Sequence, residues 1–213
     1  MRLSDIKLRH LGNDLDELSL LPVQVIAIAG GKGGTGKTNI AVNLAQALAN
    51  AGRRTLILDA DLGMANVDVL LGLEPEHTLH DVMRGKYKLE DILLNGGENL
   101  KVIPAASGIG QLANMGWQEC VGLVRAFSDL KEPIDTLIVD TATGISESVA
   151  VFCRAANEII VVACNEPASI RDCVSQLRHF YTDYGITRYR VLSSKVESAS
   201  EANALFQNLI GHF

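Results

Sequence analysis

The amino-acid sequence predicts an α/β fold with a doubly wound, mainly parallel sheet and helices on both faces. From Val23 onward, short apolar runs alternate with longer segments of helical periodicity. The central runs, at 136–139 and 159–163, are almost wholly apolar, which is typical of parallel strands buried on both faces. Strands that alternate with helices imply right-handed crossovers. A glycine-rich segment between the first strand and first helix adds a third indication.

The predicted elements follow in chain order. Strands are predicted at 23–29, 55–59, 100–104, 135–140, 158–164 and 189–193. Helices are predicted at 37–51, 65–71, 78–84, 89–94, 117–129, 146–156, 167–184 and 199–210. Residues 23–213 are expected to form one domain. Residues 1–22 are predicted to be an N-terminal extension with a short amphipathic helix that packs on the body or docks a partner.

Composition narrows the class of protein. The chain has 213 residues and a formal net charge of −6, which argues against binding nucleic acid through its overall charge. No apolar run approaches the length of a membrane span, and the charged first 22 residues contain no signal-peptide core, so we expect a cytoplasmic protein. The four cysteines lack C-x-x-C spacing and are expected to be buried thiols.

The segment 31–38 reads G-K-G-G-T-G-K-T and fits the phosphate-loop pattern G-x-x-x-x-G-K-[ST]. A strand precedes it and a helix follows, which is the context that this pattern requires. The loop backbone is expected to bind phosphate oxygens, Lys37 to reach the β- and γ-phosphates, and Thr38 to ligate Mg²⁺. The predicted phosphate-binding residues are Gly31, Lys32, Gly33, Gly34, Thr35, Gly36, Lys37 and Thr38.

Aspartates follow two of the predicted strands. The strand 135–140 ends in Asp140, which is the Walker B pattern, and Asp140 is expected to hold Mg²⁺ directly or through water. Asp59 and Asp61 follow the strand 55–59, and Asp59 is expected near the Mg²⁺ shell. The alternative is that one aspartate only caps the following helix. Gly144 would let the loop after Asp140 pivot near the γ-phosphate.

The two lysines of K-G-G-x-G-K-T, Lys32 and Lys37, give the deviant form of the loop and resemble the MinD/ParA family of ATPases. The resemblance implies that ATP and Mg²⁺ bind and that a sandwich homodimer forms with ATP, in which Lys32 reaches the partner's nucleotide. It implies that Lys32, Lys37 and Asp61 serve catalysis, Asp61 by positioning the attacking water. The resemblance also implies nucleoside contacts from the later loops, at Asn165, Glu166 and Ser194. The alternative for Asn165 and Glu166 is that this segment only starts the helix that begins with Pro167.

Several stretches look most similar to the FlhG/FleN branch of this family. They include 58–72, 102–108 and 188–192. This resemblance implies slow ATP hydrolysis that regulates flagellar number or placement through two partners, a flagellar transcription activator and a signal-recognition-type GTPase. The alternative function is a ParA-like positioning ATPase for DNA or cargo, against which the acidic charge speaks.

Three departures from the family pattern modify these expectations. Ser193 and Ser194 occupy the region where the family carries an asparagine that recognises adenine, which puts base affinity in doubt. The family's C-terminal membrane helix does not follow Phe213, so weak or absent membrane binding is expected, although full-length relatives are also peripheral at the inner membrane. The segment 5–9 only loosely echoes the family's GTPase-activating motif.

Overall fold

The structure is a computed structural model and describes residues 23–61, 66–105, 122–123, 126–127 and 130–212. The strands are β1 (Gln24–Ala29), β2 (Thr55–Ala60), β3 (Leu94–Gly97), β4 (Leu100–Ile103), β5 (Thr136–Thr141), β6 (Glu158–Cys164) and β7 (Arg190–Ser194). The helices with described bounds are α1 (Lys37–Asn50), α2 (Val67–Leu71), α3 (Leu79–Met83), α4 (Glu147–Ala155), α5 (Pro167–Tyr184) and α6 (Ala199–Ile210), with a 3-10 helix at Leu89–Ile92. In these ranges no helix is both long and apolar enough to span a bilayer.

The seven strands form one sheet in the order β3-β4-β2-β5-β1-β6-β7. Every neighbouring pair is parallel except β3 and β4, which pair antiparallel. The first strand lies near the middle of the sheet and the chain winds outward from it in both directions. The doubly wound, mainly parallel fold predicted from the apolar pattern is therefore confirmed.

Helices cover both faces of this sheet because side chains alternate along each strand. On one face, Ile26 and Ile28 of β1 pack with Ala41, Ala45 and the other buried residues of α1. On the other face, Ala27 of β1 packs in the cluster that holds α4, α5 and α6. The small alanines let α1 approach the strands closely. The start of α1 is thereby fixed against the carboxyl end of β1.

The strand register brings two predicted site residues together. β2 and β5 are parallel neighbours, and Asp59 and Asp140 are direct register partners. On its other side, Asp140 is the register partner of Ile28 in β1. Since the carboxyl ends of parallel strands meet at one edge of the sheet, both aspartates lie at the edge where the glycine loop begins.

Most predicted elements are confirmed to within two residues at each end, and 158–164, 167–184 and 199–210 match fully. The prediction of a helix over 89–94 is wrong in part, because the structure has a 3-10 helix at Leu89–Ile92 and then β3. The sequence pattern does not predict β3, because Leu94 is its one large apolar residue and two of its four residues are glycines. The extension 1–22 and most of the helix 117–129 lie outside the described residues.

An ion pair between Arg54 and Asp135 joins the amino ends of β2 and β5. Asp135 accepts hydrogen bonds from the backbone N–H of Arg54 at 2.8 Å and from Arg54 Nη2 at 2.5 Å. The Arg54 guanidinium holds the pKa of Asp135 below its ordinary value. Because the folded pKa is depressed, the stabilisation is present above the unfolded pKa and is lost as the pH falls through the folded pKa.

We expect Asp135→Asn to lower the free energy of unfolding at pH 7 by about 1 kcal/mol, since the pair is partly exposed. The difference from the wild type should close below about pH 4. Urea unfolding at both pH values measures it. Glu132→Gln is the control, because Glu132 lies 3.6 Å from Lys101 in a more exposed pair and should show little change at either pH. If Asp135→Asn lowered the free energy of unfolding equally at both pH values, the ion pair with Arg54 would not be the source of the stabilisation.

Candidate functional site

The glycine loop joins the carboxyl end of β1 to the amino end of α1. Gly34 and Gly36 have φ angles of +76° and +94°, in the left-handed region that favours glycine. Gly36 caps α1, and its carbonyl accepts the N–H of Ile40 at 2.9 Å. The backbone N–H groups of the first turn of α1 come before the first hydrogen bond within the helix. Such groups bind anions at the amino ends of helices.

The start of the loop lies directly on α5. A Cβ placed on Gly31 would stand 2.4 Å from the carbonyl carbon and oxygen of Asp172 and 2.7 Å from the nitrogen of Cys173. A Cβ on Gly30 would stand 2.9 Å from the carbonyl oxygen of Val162. The tip is open, since a Cβ on Gly33 would meet nothing within 4 Å in the described structure. The loop is therefore anchored at its base and open at its tip.

Lys37 begins α1 and is 6% exposed. Burial lowers the pKa of its ammonium, while the charges of Asp140 and Asp61 oppose that effect. Burying a charged ammonium costs free energy unless negative charges lie near it. The two aspartates partly neutralise this charge.

Asp140 at the end of β5 is 1% exposed, and neither carboxylate oxygen has a hydrogen-bond partner within the described part of the chain. Burial raises its pKa to about 6, although the nearby hydroxyl of Thr38 and the charge of Lys37 act in the opposite direction. A buried carboxylate without hydrogen-bond partners is rare and calls for a ligand or a function. Asp140 and Thr38, both predicted to bind the metal, thus lie together.

Asp59 is also buried, at 1% exposure, but its oxygens are occupied. They accept the backbone N–H groups of Asp61 at 3.1 Å, Asn66 at 2.9 Å and Val67 at 3.1 Å. Burial raises the pKa of Asp59 to about 7, and these backbone donors reduce the rise. Asp59 therefore binds the backbone N–H groups of the residue that follows β2 and of the two residues at the start of α2. Asp61 lies half-buried beside it.

The front lysine of the loop, Lys32, forms an ion pair with Glu166 of the same chain. This contact raises the pKa of Lys32 and lowers that of Glu166. Both side chains are accessible, at 35% and 51% exposure, so the pair can separate at little cost. Thr35 supports this turn through a 3.4 Å hydrogen bond from its hydroxyl to the carbonyl of Lys32.

The other residues expected to contact a nucleoside lie at the carboxyl ends of β6 and β7. Asn165 donates a hydrogen bond to Glu201 at 3.0 Å, which ties the end of β6 to the first turn of α6. Ser194 is the register partner of Cys164, and its hydroxyl would be 3.5 Å from a Cβ on Gly36. Ser194 therefore lies beside the glycine loop, while Asn165 and Glu166 are held by side chains of this chain.

The loop after β5 makes two contacts through Gly144 that no sequence pattern predicted. The N–H of Gly144 donates to the carbonyl of Gly30 at 3.2 Å, and its carbonyl accepts Gln176 Nε2 at 2.5 Å. Gly144 has a φ of +92°. Gln176 is fully buried on the apolar face of α5, between Cys173 and Phe180. A glutamine on the buried face of an amphipathic helix was the available signal for it.

These residues fit a nucleotide and Mg²⁺. The charges of Asp140 and Asp61 act on the ammonium of Lys37, and Asp59 lies beside Asp140. Among the described residues this cluster holds more carboxylates than ammonium groups, which suits a divalent cation. The oxygens of Asp140 are the buried acceptors without partners that such a cation would complete. The open glycines at the loop tip leave backbone N–H groups accessible to phosphate oxygens.

Comparisons with known proteins agree with this geometry. A family model described as an AAA domain matches residues 23–184. The antiactivator FleN of Pseudomonas aeruginosa is 51% identical over 191 residues, covering 90% of this chain and 68% of FleN. This chain belongs to the MinD/ParA family of P-loop ATPases. The family resemblance read from the two loop lysines is confirmed.

Two further relatives extend the comparison. The flagellum site-determining protein YlxH of Helicobacter pylori is 31% identical over 153 residues, covering 72% of this chain and 52% of YlxH. The structure of the septum site-determining protein MinD of Pyrococcus horikoshii, complexed with Mg-ADP, superposes with a TM-score of 0.67 at 28% identity, covering 87% of this chain and 77% of that MinD. This chain thus spans about two thirds of FleN and about half of YlxH.

Proposed function

We propose that this chain is an ATP-dependent dimerisation switch with slow ATP hydrolysis, which regulates flagellar number or placement through partner proteins. The observation that carries the proposal is the convergence of a two-lysine glycine loop with Asp59, Asp61 and Asp140 at one edge of the sheet. The flagellar role is supported by the likeness to YlxH, which is named a flagellum site-determining protein, and to the antiactivator FleN.

In this proposal ATP and Mg²⁺ bind at the loop. The backbone of Gly31–Thr38 and the first turn of α1 would bind the phosphates, and Lys37 would balance their charge. Thr38 and Asp140 would hold the metal, with Asp59 near it through water. The metal, when bound, supplies positive charge beside the transferred phosphoryl group. Asn165, Glu166 and Ser194 are the proposed nucleoside contacts.

Hydrolysis converts ATP and water to ADP and phosphate. Asp61 would orient the attacking water, and its place is set by the bond from its N–H to Asp59 at 3.1 Å. The N–H of Gly144 donates to the carbonyl of Gly30 at 3.2 Å in this structure, so it would have to leave that carbonyl to reach the γ-phosphate. The rate is expected to be slow, because a switch must keep its ATP state long enough to act on a partner.

The dimer would form when Lys32 leaves Glu166 and contacts the nucleotide of a second copy. A ligand shifts such an equilibrium only by its different affinity for the two states, and a contact made only in the dimer supplies that difference. For partners, we propose a flagellar transcription activator and a signal-recognition-type GTPase. The apolar side chains at the end of α2 divide into two groups. Leu71 and the following Leu73 pack on the core, while Val69 and Leu70 are 70% and 46% exposed.

We expect Asp61→Ala to bind ATP with near wild-type affinity and to hydrolyse it at least about 100-fold more slowly, because the attacking water loses its orienting carboxylate. With ATP and Mg²⁺ the variant should remain a dimer, while the wild type should return to a monomer as ATP is consumed. Light-scattering mass during size exclusion, with ATP or ADP, measures both.

The matched control is Asp68→Asn. Asp68 lies in α2, and its carboxylate accepts a hydrogen bond from the N–H of Val69 at 2.8 Å. It should leave hydrolysis close to wild type. Normal hydrolysis by Asp61→Ala would show that the water-positioning assignment is wrong. A wild-type monomer in every condition, despite measured ATP binding, would refute the dimer switch for this chain.

A further inference from the structure

The carboxyl ends of β6 and β7 lie on the side of the glycine loop away from the proposed metal-binding residues. Asp140 and Asp59 end β5 and β2 on one side of β1, while β6 and β7 lie on its other side. A metal held at Asp140 would bridge the β- and γ-phosphates, so the nucleoside would extend toward β6 and β7. The position of Ser194, at the end of β7 and beside Gly36, agrees with this direction.

Glu201 is fixed at this side of the site by the amino end of α6. Ser198 is the N-cap of the helix, and its hydroxyl accepts the N–H of Glu201 at 3.2 Å. The Glu201 carboxylate accepts the backbone N–H of Glu197 at 2.9 Å through Oε2. Its other oxygen, Oε1, accepts Nδ2 of Asn165 at 3.0 Å. Glu201 is therefore held by both its backbone and its side chain, and it joins the start of α6 to the end of β6.

The charge of Glu201 decides how the amide of Asn165 is oriented. The hydrogen bonds from the Glu197 backbone and from Asn165 lower the pKa of Glu201, so its carboxylate is ionised at neutral pH and can only accept hydrogen bonds. The amide must therefore turn Nδ2 toward Glu201, as it does here. Asn165 is exposed, so it presents its Oδ1, an acceptor, to a molecule bound at this edge.

An acceptor at this position suits one purine base better than the other. The exocyclic amine of adenine donates hydrogen bonds, whereas O6 of guanine is an acceptor and would face Oδ1 of Asn165 with no proton between them. The hydroxyl of Ser194 can donate or accept, so it does not distinguish the two bases. A site with a fixed acceptor also rejects the wrong base, because two acceptors in contact repel each other.

We propose that Glu201 is a positioning residue for the nucleobase: by holding the Asn165 amide, it makes the site prefer adenine nucleotides over guanine nucleotides. This inference rests on the proposed function and deepens it. Glu201 would act through Asn165, without contacting the nucleotide itself.

The test compares the dissociation constants of non-hydrolysable Mg-ATP and Mg-GTP analogues for the wild type and Glu201→Gln. The N–H of Glu197 can only donate, so the new glutamine would give it Oε1 and turn Nε2 toward Asn165. The Asn165 amide would then reverse and present a donor to the base. The ratio of the GTP-analogue to the ATP-analogue dissociation constant should fall by about tenfold. Glu197→Gln is the matched control and should keep the wild-type ratio, because Glu197 contacts Glu201 through its backbone N–H.

A second variant separates this role from a structural one. Asn165→Ala removes the amide and should itself lower the ratio, and adding Glu201→Gln to it should change the ratio no further. An unchanged ratio in Glu201→Gln, even with both affinities lowered, would overturn the role of Glu201. So would a ratio that Glu201→Gln shifts equally with and without the Asn165 amide. If Glu201→Gln did not fold, Asn165→Ala alone would decide, and its retention of the wild-type preference would overturn the role.

The behaviour of the wild type separates this inference from the proposed function. A wild type that binds neither analogue would refute the proposed function itself. A wild type that binds both analogues with equal affinity would leave nucleotide binding intact and refute the role of Glu201 alone.

Discussion

Replacing Gly31 by alanine is expected to lower the free energy of unfolding by about 3 kcal/mol or more and to abolish nucleotide binding. The new methyl group would stand 2.4 Å from the carbonyl carbon and oxygen of Asp172. These atoms belong to the backbone of α5, so no side-chain rotation can relieve the overlap. The loop and the helix must separate, which displaces the phosphate-binding groups as well.

Gly33→Ala provides the matched control, because a Cβ there meets nothing within 4 Å in the described structure. Its unfolding free energy should stay within about 0.5 kcal/mol of wild type. Urea unfolding of both variants, followed by titration with fluorescent ADP, measures stability and binding together. A Gly31→Ala protein as stable as Gly33→Ala would show that the loop is not packed against α5 as described.

The fold could be predicted from the sequence because its signals are local and repeated. Apolar runs such as 159–163 are too short for a buried helix and are typical of a strand buried on both faces, and the helices between them have clear periodicity. β3 could not be predicted because it lacks such a local signal. Its four residues include Gly96 and Gly97, and it exists because β4 offers an antiparallel edge, which is a tertiary cause.

The candidate site could be predicted in its residues but not in its contacts. The loop pattern predicts Lys37 and Thr38 as site residues, and the strand ends predict Asp59 and Asp140. These residues belong to short motifs that can be recognised from the neighbouring sequence alone. The contact of Lys32 with Glu166 joins residues 134 positions apart. The bond of Gln176 to Gly144 spans 32 positions. Such pairs depend on how α5 crosses the sheet, which no local pattern specifies.

The two loop lysines should fail in different ways when each is replaced by alanine. Lys37→Ala is expected to weaken ATP and ADP binding by at least about 100-fold, because Lys37 is the buried charged donor proposed for the β- and γ-phosphates. Lys32→Ala should bind both nucleotides within a few-fold of wild type, since Lys32 lies at the surface and contacts Glu166 in this chain. Its expected defect is the ATP-dependent dimer, measured by light scattering after nucleotide titration.

Glu166→Gln completes this comparison, because it removes the charge that holds Lys32 within its own chain. If that ion pair competes with the dimer contact, the variant should form the ATP dimer at lower protein concentration than wild type. Lys32→Ala combined with Glu166→Gln should then behave like Lys32→Ala alone. A double variant that recovers the dimer would show that Lys32 does not act across the interface, whereas equal loss of nucleotide binding in both single-lysine variants would place Lys32 in the binding of its own chain's phosphates.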